Sequence, residues 1–367
     1  MQFRYAHAAA SDWREAVKSC LAGLGQGGGS LGFVYATDHL AEKLGEIVNL
    51  LKSRTGVSHW VGTVGIGVCA SGREYLDEPA LVAMVGDFDP DSFNVFSGVT
   101  GSADIDSLTL KCGGAAPNFA IVHGDPVNRE IADLVSRLAG RVESGFLVGG
   151  LSSSRKQNYQ VADEVVEGGV SGVAFSDTVT VATRLTQGCS PIGPKHAITT
   201  CQQNVIITLD GRPALDVLRE DIGEALSRDL NRIGGQIFAG LPIAGSDTGD
   251  YLVRNLVGID PSNKLIAIGE MVQQGGSVLF CRRDTKTANE DMTRMLDSIR
   301  QGMFSSPRGG VYYSCLGRGA SLFGPNSEEL RMIRDTLGDF PLVGFFCNGE
   351  ISHNRLYGYT GVLTLFV

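Results

Sequence analysis

The chain has 367 residues, 43% hydrophobic and 19% charged, with a net charge of −9. That composition is globular and too long for one ordinary core, so two domains are expected. Lys and Arg form no block of the kind a phosphate backbone needs, which argues against nucleic acid. No apolar run approaches the ~18 residues of a membrane span, and Met1-Gln-Phe-Arg-Tyr-Ala lacks the apolar stretch of a signal peptide. The expected setting is cytoplasmic, without membrane insertion.

In chain order, Ser11 to Leu21 reads as an amphipathic helix, and Gly23 to Gly29 as its flexible exit. Three later segments then share one plan. The first runs from strand Gly32–Ala36 into a helix with Leu40, Leu44, Ile47, Val48 and Leu51 on one face. Strand Trp60–Val64, a polar loop ending near Arg73 and strand Ala80–Val85 complete it. The second has strand Phe119–Val122, a helix with Ile131, Leu134, Val135 and Leu138, and strand Phe146–Gly149. A loop through Arg155 and strand Gly172–Phe175 close it.

Between the second and third segments the pattern turns strand-rich. Asp177 to Leu209 alternates apolar and polar residues, interrupted by a Gly-Pro loop that leads to Lys195 and His196. A helix over 213–230 follows, then strands around Ile237–Ile243, Tyr251–Val257, Leu265–Glu270 and Ser277–Arg282. Gln273-Gln-Gly-Gly276 predicts a hairpin between the last two. Thr287-Ala-Asn-Glu290 has the form of a capping box, opening a helix with Met292, Met295, Leu296 and Ile299 inward.

The third segment begins with strand Val311–Cys315 and a helix opened by a second capping-box pattern, Asn326-Ser-Glu-Glu329. Strand Leu342–Phe346, a loop to Arg355 and strand Thr360–Leu365 finish it. The expected fold is therefore mixed α/β (α+β), with repeated β-α-β-β units and two domains of Gly-rich sheets covered by helices. The expected divisions are 1–29 (helix and linker), 30–212 and 213–367. Glycine, at 49 residues, recurs inside strands, where it marks close backbone approach.

The chemistry-bearing residues narrow the functional classes. Gly23-Leu-Gly-Gln-Gly-Gly28 precedes a strand rather than a helix, so it is not a dinucleotide fingerprint. Eight cysteines have no C-x-x-C spacing and six histidines no H-x-x-x-H spacing, so no metal site is expected. Cys315 and Cys347 end strands that would be parallel neighbours. A nucleophile reading would pair Cys315 with His353, with Asn348 or Glu350 as orienter, but a buried thiol is the favoured reading and no enzyme is expected. Arg73, Arg155 and Arg355 each follow a Val-Gly strand, and Arg318 lies on the opposite loop of the third unit. A guanidinium fork there suits a carboxylate or phosphate.

Ser314-Cys-Leu-Gly-Arg318, Glu329, Val343-Gly-Phe-Phe-Cys-Asn-Gly-Glu350-Ile, Tyr251-Leu-Val-Arg254 and Gly275-Gly-Ser-Val-Leu together resemble the FIST family, over almost the full chain. Where that family carries His-Asn-x-Thr before the final strand, this chain has Tyr357-Gly-Tyr-Thr360 and keeps only the threonine. The resemblance implies intracellular ligand sensing, with amino acids a proposed class. It also implies signalling through a separate partner, because the ~30 residues before the first repeat are too few for an output domain. The expected ligand-binding residues are Cys315, Arg318, Gly344, Cys347, Asn348, Gly349, Glu350 and Arg355. Haem-based gas sensing, with His196 or His353 as axial ligand, and a protein-interaction scaffold are the alternatives; the cofactor is left unassigned.

Overall fold

The computed structural model describes residues 1–230, 233–243 and 251–367. They form two compact units, one of residues 1–186 and 292–367, the other of residues 187–291. These units cut across the sequence halves 30–212 and 213–367. The third β-α-β-β unit, late in the chain, folds with the first two, because its strands pair with theirs.

The first repeat contributes β1 (Phe3–Ala9), α1 (Trp13–Leu24), β2 (Leu31–Thr37), α2 (Leu44–Thr55), β3 (His59–Gly65), β4 (Gly67–Ala70), β5 (Arg73–Leu76) and β6 (Ala80–Gly86). Asp12 caps α1 by accepting from the Arg14 amide. The glycine exit expected to be flexible is tied down, since the Arg4 guanidinium donates to the carbonyls of Leu24, Gly27 and Gly28. The second repeat contributes β7 (Phe93–Val99), α3 (Ser102–Ser107), β8 (Phe119–Gly124), α4 (Ile131–Ala139), β9 (Phe146–Leu151), β10 (Gln160–Ala162), β11 (Glu164–Val166) and β12 (Val170–Phe175). β13 (Val181–Gln187) follows.

The smaller unit holds β14 (Cys189–Pro191), β15 (His196–Gln202), β16 (Val205–Leu209), β17 (Arg212–Pro213), α5 (Ala214–Ser227), β18 (Ile237–Pro242), β19 (Tyr251–Asp260), β20 (Leu265–Ile268) and β21 (Ser277–Arg283). These strands make one antiparallel sheet. β20 and β21 are not the expected hairpin: β20 pairs with β16 and β19, and β21 with β14, β15 and β18. The tertiary partners override the local turn signal. α6 (Thr285–Gly302) then leads to the third repeat. Its cap is Asp284, whose carboxylate accepts from the Thr287 amide and hydroxyl, so Thr287 lies inside the helix rather than at its start.

The third repeat contributes β22 (Gly309–Cys315), α7 (Ala320–Phe323), α8 (Glu328–Leu337), β23 (Leu342–Cys347), β24 (Glu350–Ser352), β25 (Arg355–Tyr357) and β26 (Thr360–Phe366). Its expected capping box is also absent. Asn326 and Ser327 both have positive φ, and the Ser327 hydroxyl accepts from the Glu74 amide instead of capping α8.

Each repeat builds one sheet of the same order, β1-β6-β2-β3-β10-β11, β7-β12-β8-β9-β24-β25 and β13-β26-β22-β23-β4-β5. In each, the third and fourth strands of this order run parallel and the second is antiparallel to the third. The stretches read from sequence as polar loops are short hairpins, and each is given away. β4–β5 of the first repeat completes the third sheet, β24–β25 of the third completes the second, and β10–β11 of the second completes the first. The exchange is cyclic.

One glycine position explains how closely the parallel pairs meet. Gly62, Gly149 and Gly344 stand opposite Val34, Val122 and Tyr312, and a Cβ at any of the three would overlap the facing carbonyl oxygen. The next residue along each first strand is Tyr35, His123 or Tyr313, and these three side chains meet in the interior. The Tyr35 hydroxyl lies 3.2 Å from His123 Nε2 and 3.0 Å from the Tyr313 hydroxyl. Burial pushes the His123 pKa down to about 3, so its ring is neutral. Around them one apolar core takes Phe33, Ile121, Val148, Phe175, Val311, Phe345 and Phe366 from all three sheets. Gly344→Ala should therefore destabilise the protein by about 4 kcal/mol or more, read as a loss of soluble protein or a lowered urea midpoint.

Candidate functional site

Polar chemistry gathers where β22 and β23 end. Cys315 and Cys347 are register partners on these parallel strands, so their side chains lie on one face of the sheet. After Cys315 the chain turns tightly: the Leu316 amide donates to the Cys347 carbonyl at 3.1 Å and the Arg318 amide to the Cys315 carbonyl at 2.8 Å. That turn sends the Arg318 side chain inward, where it is 1% exposed.

Its counter-charge is Glu329, delivered by the first turn of α8. Glu329 accepts from Arg318 Nε (2.7 Å), the Tyr312 hydroxyl (2.6 Å), the Ser314 hydroxyl (3.1 Å) and the Gly319 amide (2.9 Å). A buried ion pair survives only when its remaining lone pairs and protons are satisfied, and four donors on one carboxylate meet that condition for Glu329. Burial alone would depress the Arg318 pKa, but the charge of Glu329 more than offsets it and the guanidinium stays protonated. The face of Arg318 also lies over the Phe323 ring at 4.8 Å.

Beside this pair Glu350, the first residue of β24, is fully buried. One of its oxygens accepts from the Thr360 amide (3.1 Å) and hydroxyl (2.8 Å). Burial raises its pKa to about 8. Burial, and then the Glu350 charge, push the Cys315 thiol up to about 12, the reverse of what a nucleophilic thiolate requires. Three atoms of this neighbourhood are buried and have no hydrogen-bond partner: Arg318 Nη1, Glu350 Oε1 and Glu74 Oε2. Natural interiors rarely leave such groups unpaired.

Glu74 connects the buried cluster with solvent. It stands on β5 and lines an open cleft of about 510 Å³ between the β4–β5 turn and the start of α8. Arg73, Ser327, Arg331 and Arg334 form the cleft's other polar walls. Gly72 has φ 64°, and a Cβ there would meet Arg334 Nη1 at 2.7 Å, so glycine both makes the turn and leaves room for that guanidinium. Burial, and then the nearby Glu329 charge, raise the Glu74 pKa to about 7. Arg331 pairs with Glu328 at 3.3 Å and Arg334 with Asp335 at 2.9 Å; exposed pairs of this kind are weak, so the guanidinium groups can turn to a small carboxylate of metabolite size.

The other expected residues lie as follows. Gly344 is one of the three close-approach glycines, buried within the sheet. Cys347 is buried, its thiol 3.6 Å from the Phe345 carbonyl. Asn348 is exposed, and the backbone of Asn348 and Gly349 bonds to Leu151 of the neighbouring sheet. Arg355 is partly exposed at the start of β25, the position that Arg73 holds at the start of β5. The second repeat has Glu164 there, while Arg155 is bound through two guanidinium nitrogens to the buried Asp38 carboxylate. His353 occupies the β24–β25 turn with φ 55° and its ring 4.2 Å from that of Phe146. In the smaller unit, His196 has both ring nitrogens on carboxylates, Asp210 at 2.7 Å and Asp221 at 2.9 Å.

Sequence reading did not include Glu74, Glu329, Arg331 or Arg334 among the binding residues. One signal was available. Glu329 shares a helical stripe with Ile333 and Leu337, which puts a carboxylate on the buried face of α8.

The fold and site define a class: an α/β protein built on three hairpin-exchanging repeats, with a buried ion-pair cluster behind a basic cleft. Models of the FIST N domain and the FIST C domain match residues 30–212 and 214–353. The uncharacterized protein Rv0628c of Mycobacterium tuberculosis H37Rv is 32% identical over 323 residues, covering 84% of this chain and 83% of its own. The uncharacterized protein Mb0898c of Mycobacterium bovis is 28% identical over 345 residues, covering 90% of this chain and 88% of its own. This chain belongs to the FIST family, which is associated with sensing and signal transduction.

Two predictions follow from the cluster. Arg318→Met should cost about 3–5 kcal/mol, because Glu329 loses its counter-charge in the interior; equilibrium urea unfolding checks this. Glu350 binds its proton more tightly folded than unfolded. Its contribution to stability is therefore fullest below pH 4.5, the ordinary value, and is lost as pH rises toward 8. Glu350→Gln removes that titration. The fall in stability between pH 5 and 8.5 should be smaller in the variant by at least about 1.4 kcal/mol, the equivalent of one pKa unit.

Proposed function

We propose that this protein is a non-enzymatic sensory protein that binds a small carboxylate of the amino-acid class and signals through a separate protein. The observation that carries the reading is the cleft of Arg73, Arg331 and Arg334 over Glu74. The guanidinium groups receive the ligand's carboxylate, and the Glu74 carboxylate on the cleft wall receives its ammonium group. Behind Glu74, Glu329 and Arg318 fix the floor of the site, so Cys315, Arg318 and Glu350 act as its support rather than as its contact surface. The raised Cys315 pKa favours binding over thiol catalysis. Cysteine thiols outside disulfides, Cys20, Cys69 and Cys112 among them, favour a reducing compartment, the cytoplasm. The haem alternative gains nothing from His196, whose two nitrogens are both engaged.

Isothermal titration with the common amino acids, each beside its deaminated acid, tests the reading. An amino acid that binds should do so more tightly as pH rises through about 7, because Glu74 must ionise to hold the ammonium group. Glu74→Gln should remove most of that pH dependence and weaken the amino acid more than the deaminated acid. Arg73→Ala or Arg331→Ala should each cost roughly 1.5–3 kcal/mol of binding, the worth of a charged hydrogen bond. Equal affinity for the amino acid in wild type and all three variants would overturn the assignment of the cleft.

A further inference from the structure

A second cleft lies on the outer face of the first sheet, between α1 and α2. The two helices bury Ala16, Val17, Cys20 and Leu24 from one, and Leu44, Ile47, Val48 and Leu51 from the other, in one apolar cluster. Above that cluster they leave a groove of about 630 Å³. Its floor is Leu21, Ala22 and Leu50, all at least partly exposed, and its rim is Arg14, Lys18 and Arg54.

The pattern along α1 is regular. Arg14, Lys18, Leu21 and Ala22 fall at i, i+4, i+7 and i+8, so cations and apolar groups lie on one stripe. The Arg14 guanidinium lies over the Trp13 ring at 4.3 Å and reaches Glu46 of α2 only at 4.0 Å. Among the described residues, Lys18 and Arg54 have no carboxylate partner. The chain carries a net charge of −9, so an apolar groove rimmed by three cations departs from its overall charge.

We propose that this groove is a docking site for a short, acidic amphipathic helix of a partner protein. Three features select that occupant. Paired helices with an apolar floor between them form the groove type that accepts a third helix through anchors at i, i+3, i+4 and i+7. From Arg14 to Gly25 the groove follows α1 for about 16 Å, the length of three helical turns. The cations are spread along that length and on both walls, which suits several carboxylates rather than the single head of a fatty acid. The inference rests on the proposed function only in assuming a partner. It uses no residue of the arginine cleft, and its test does not depend on amino-acid binding.

The test uses a fluorescein-labelled synthetic helical peptide of about three turns, with leucine at i, i+3 and i+7 and glutamate between. Two controls accompany it, the same peptide with lysine for glutamate, and dodecanoate. Fluorescence anisotropy with the full-length protein should give saturable binding of the acidic peptide and none of the basic one. Lys18→Glu should weaken the acidic peptide about tenfold, about 1.4 kcal/mol. Ala22→Trp, which fills the exposed floor without adding charge, should weaken it at least as much. Circular dichroism establishes that both variants are folded. Loss with Lys18→Glu but not with Ala22→Trp would overturn the proposal, reducing the groove to a basic surface. So would an absence of peptide binding, or competition by dodecanoate that Ala22→Trp abolishes while the peptide is unaffected.

Discussion

The structure of the larger unit depends on the exchange of hairpins among its three sheets. The first two sheets take four strands from their own repeat, the third takes three and adds β13 from just after the second repeat, and each takes its last two strands from another repeat. Without the donated hairpin, the second parallel strand of each sheet would present a row of unpaired amide and carbonyl groups, with the adhesive properties of any open edge. Because the donation is cyclic, no repeat is complete by itself. The glycines at 62, 149 and 344 belong to the same constraint, since they let the parallel strands approach closely enough for Tyr35, His123 and Tyr313 to meet inside.

The three strand ends diverge in chemistry while the backbone plan repeats. At the first, Asp38 is closed by the Arg155 guanidinium, a fork supplied by the second repeat. At the second, Asp125 spends its oxygens on the backbone amides of Val127 and Gly168. Among the described residues only the third combines a buried ion pair with unpartnered polar atoms and an adjoining cleft lined by guanidinium groups. The asymmetry sets the third repeat apart from the other two. Two strand ends are closed by a single carboxylate and its partners, while the third is closed by the Arg318–Glu329 pair and a wider polar cluster.

The repeated units were legible because their information is local. The apolar stripe of α2 at Leu44, Ile47, Val48 and Leu51, and the Val-Gly in each second strand, follow from periodicity and spacing alone. The register of Cys315 with Cys347 was also readable, as the outcome of two strand ends in a parallel pair. The hairpins were not, since β10 and β11 have three residues each, too few for an alternation to stand out from a loop. Their pairing partners lie in other repeats, and nothing in their own sequence encodes that. The same holds for the cleft. Arg331 and Arg334 look like ordinary solvated residues on α8, and only the exchanged β4–β5 hairpin brings Arg73 and Glu74 beside them.

The hairpin exchange also governs the order of events during synthesis. The hairpin that completes the second sheet is β24–β25, residues 350–357, far along the chain from β12 (Val170–Phe175), the last of that sheet's own strands. A nascent chain that has not yet reached residue 350 therefore has the second sheet begun and the open edge of β9 unpaired. Contacts this distant in sequence close slowly, and the open edges are the surfaces on which newly made chains associate wrongly. The architecture that covers the second parallel strand of each sheet once complete thus leaves it open during synthesis, and makes the third repeat the one that commits the others.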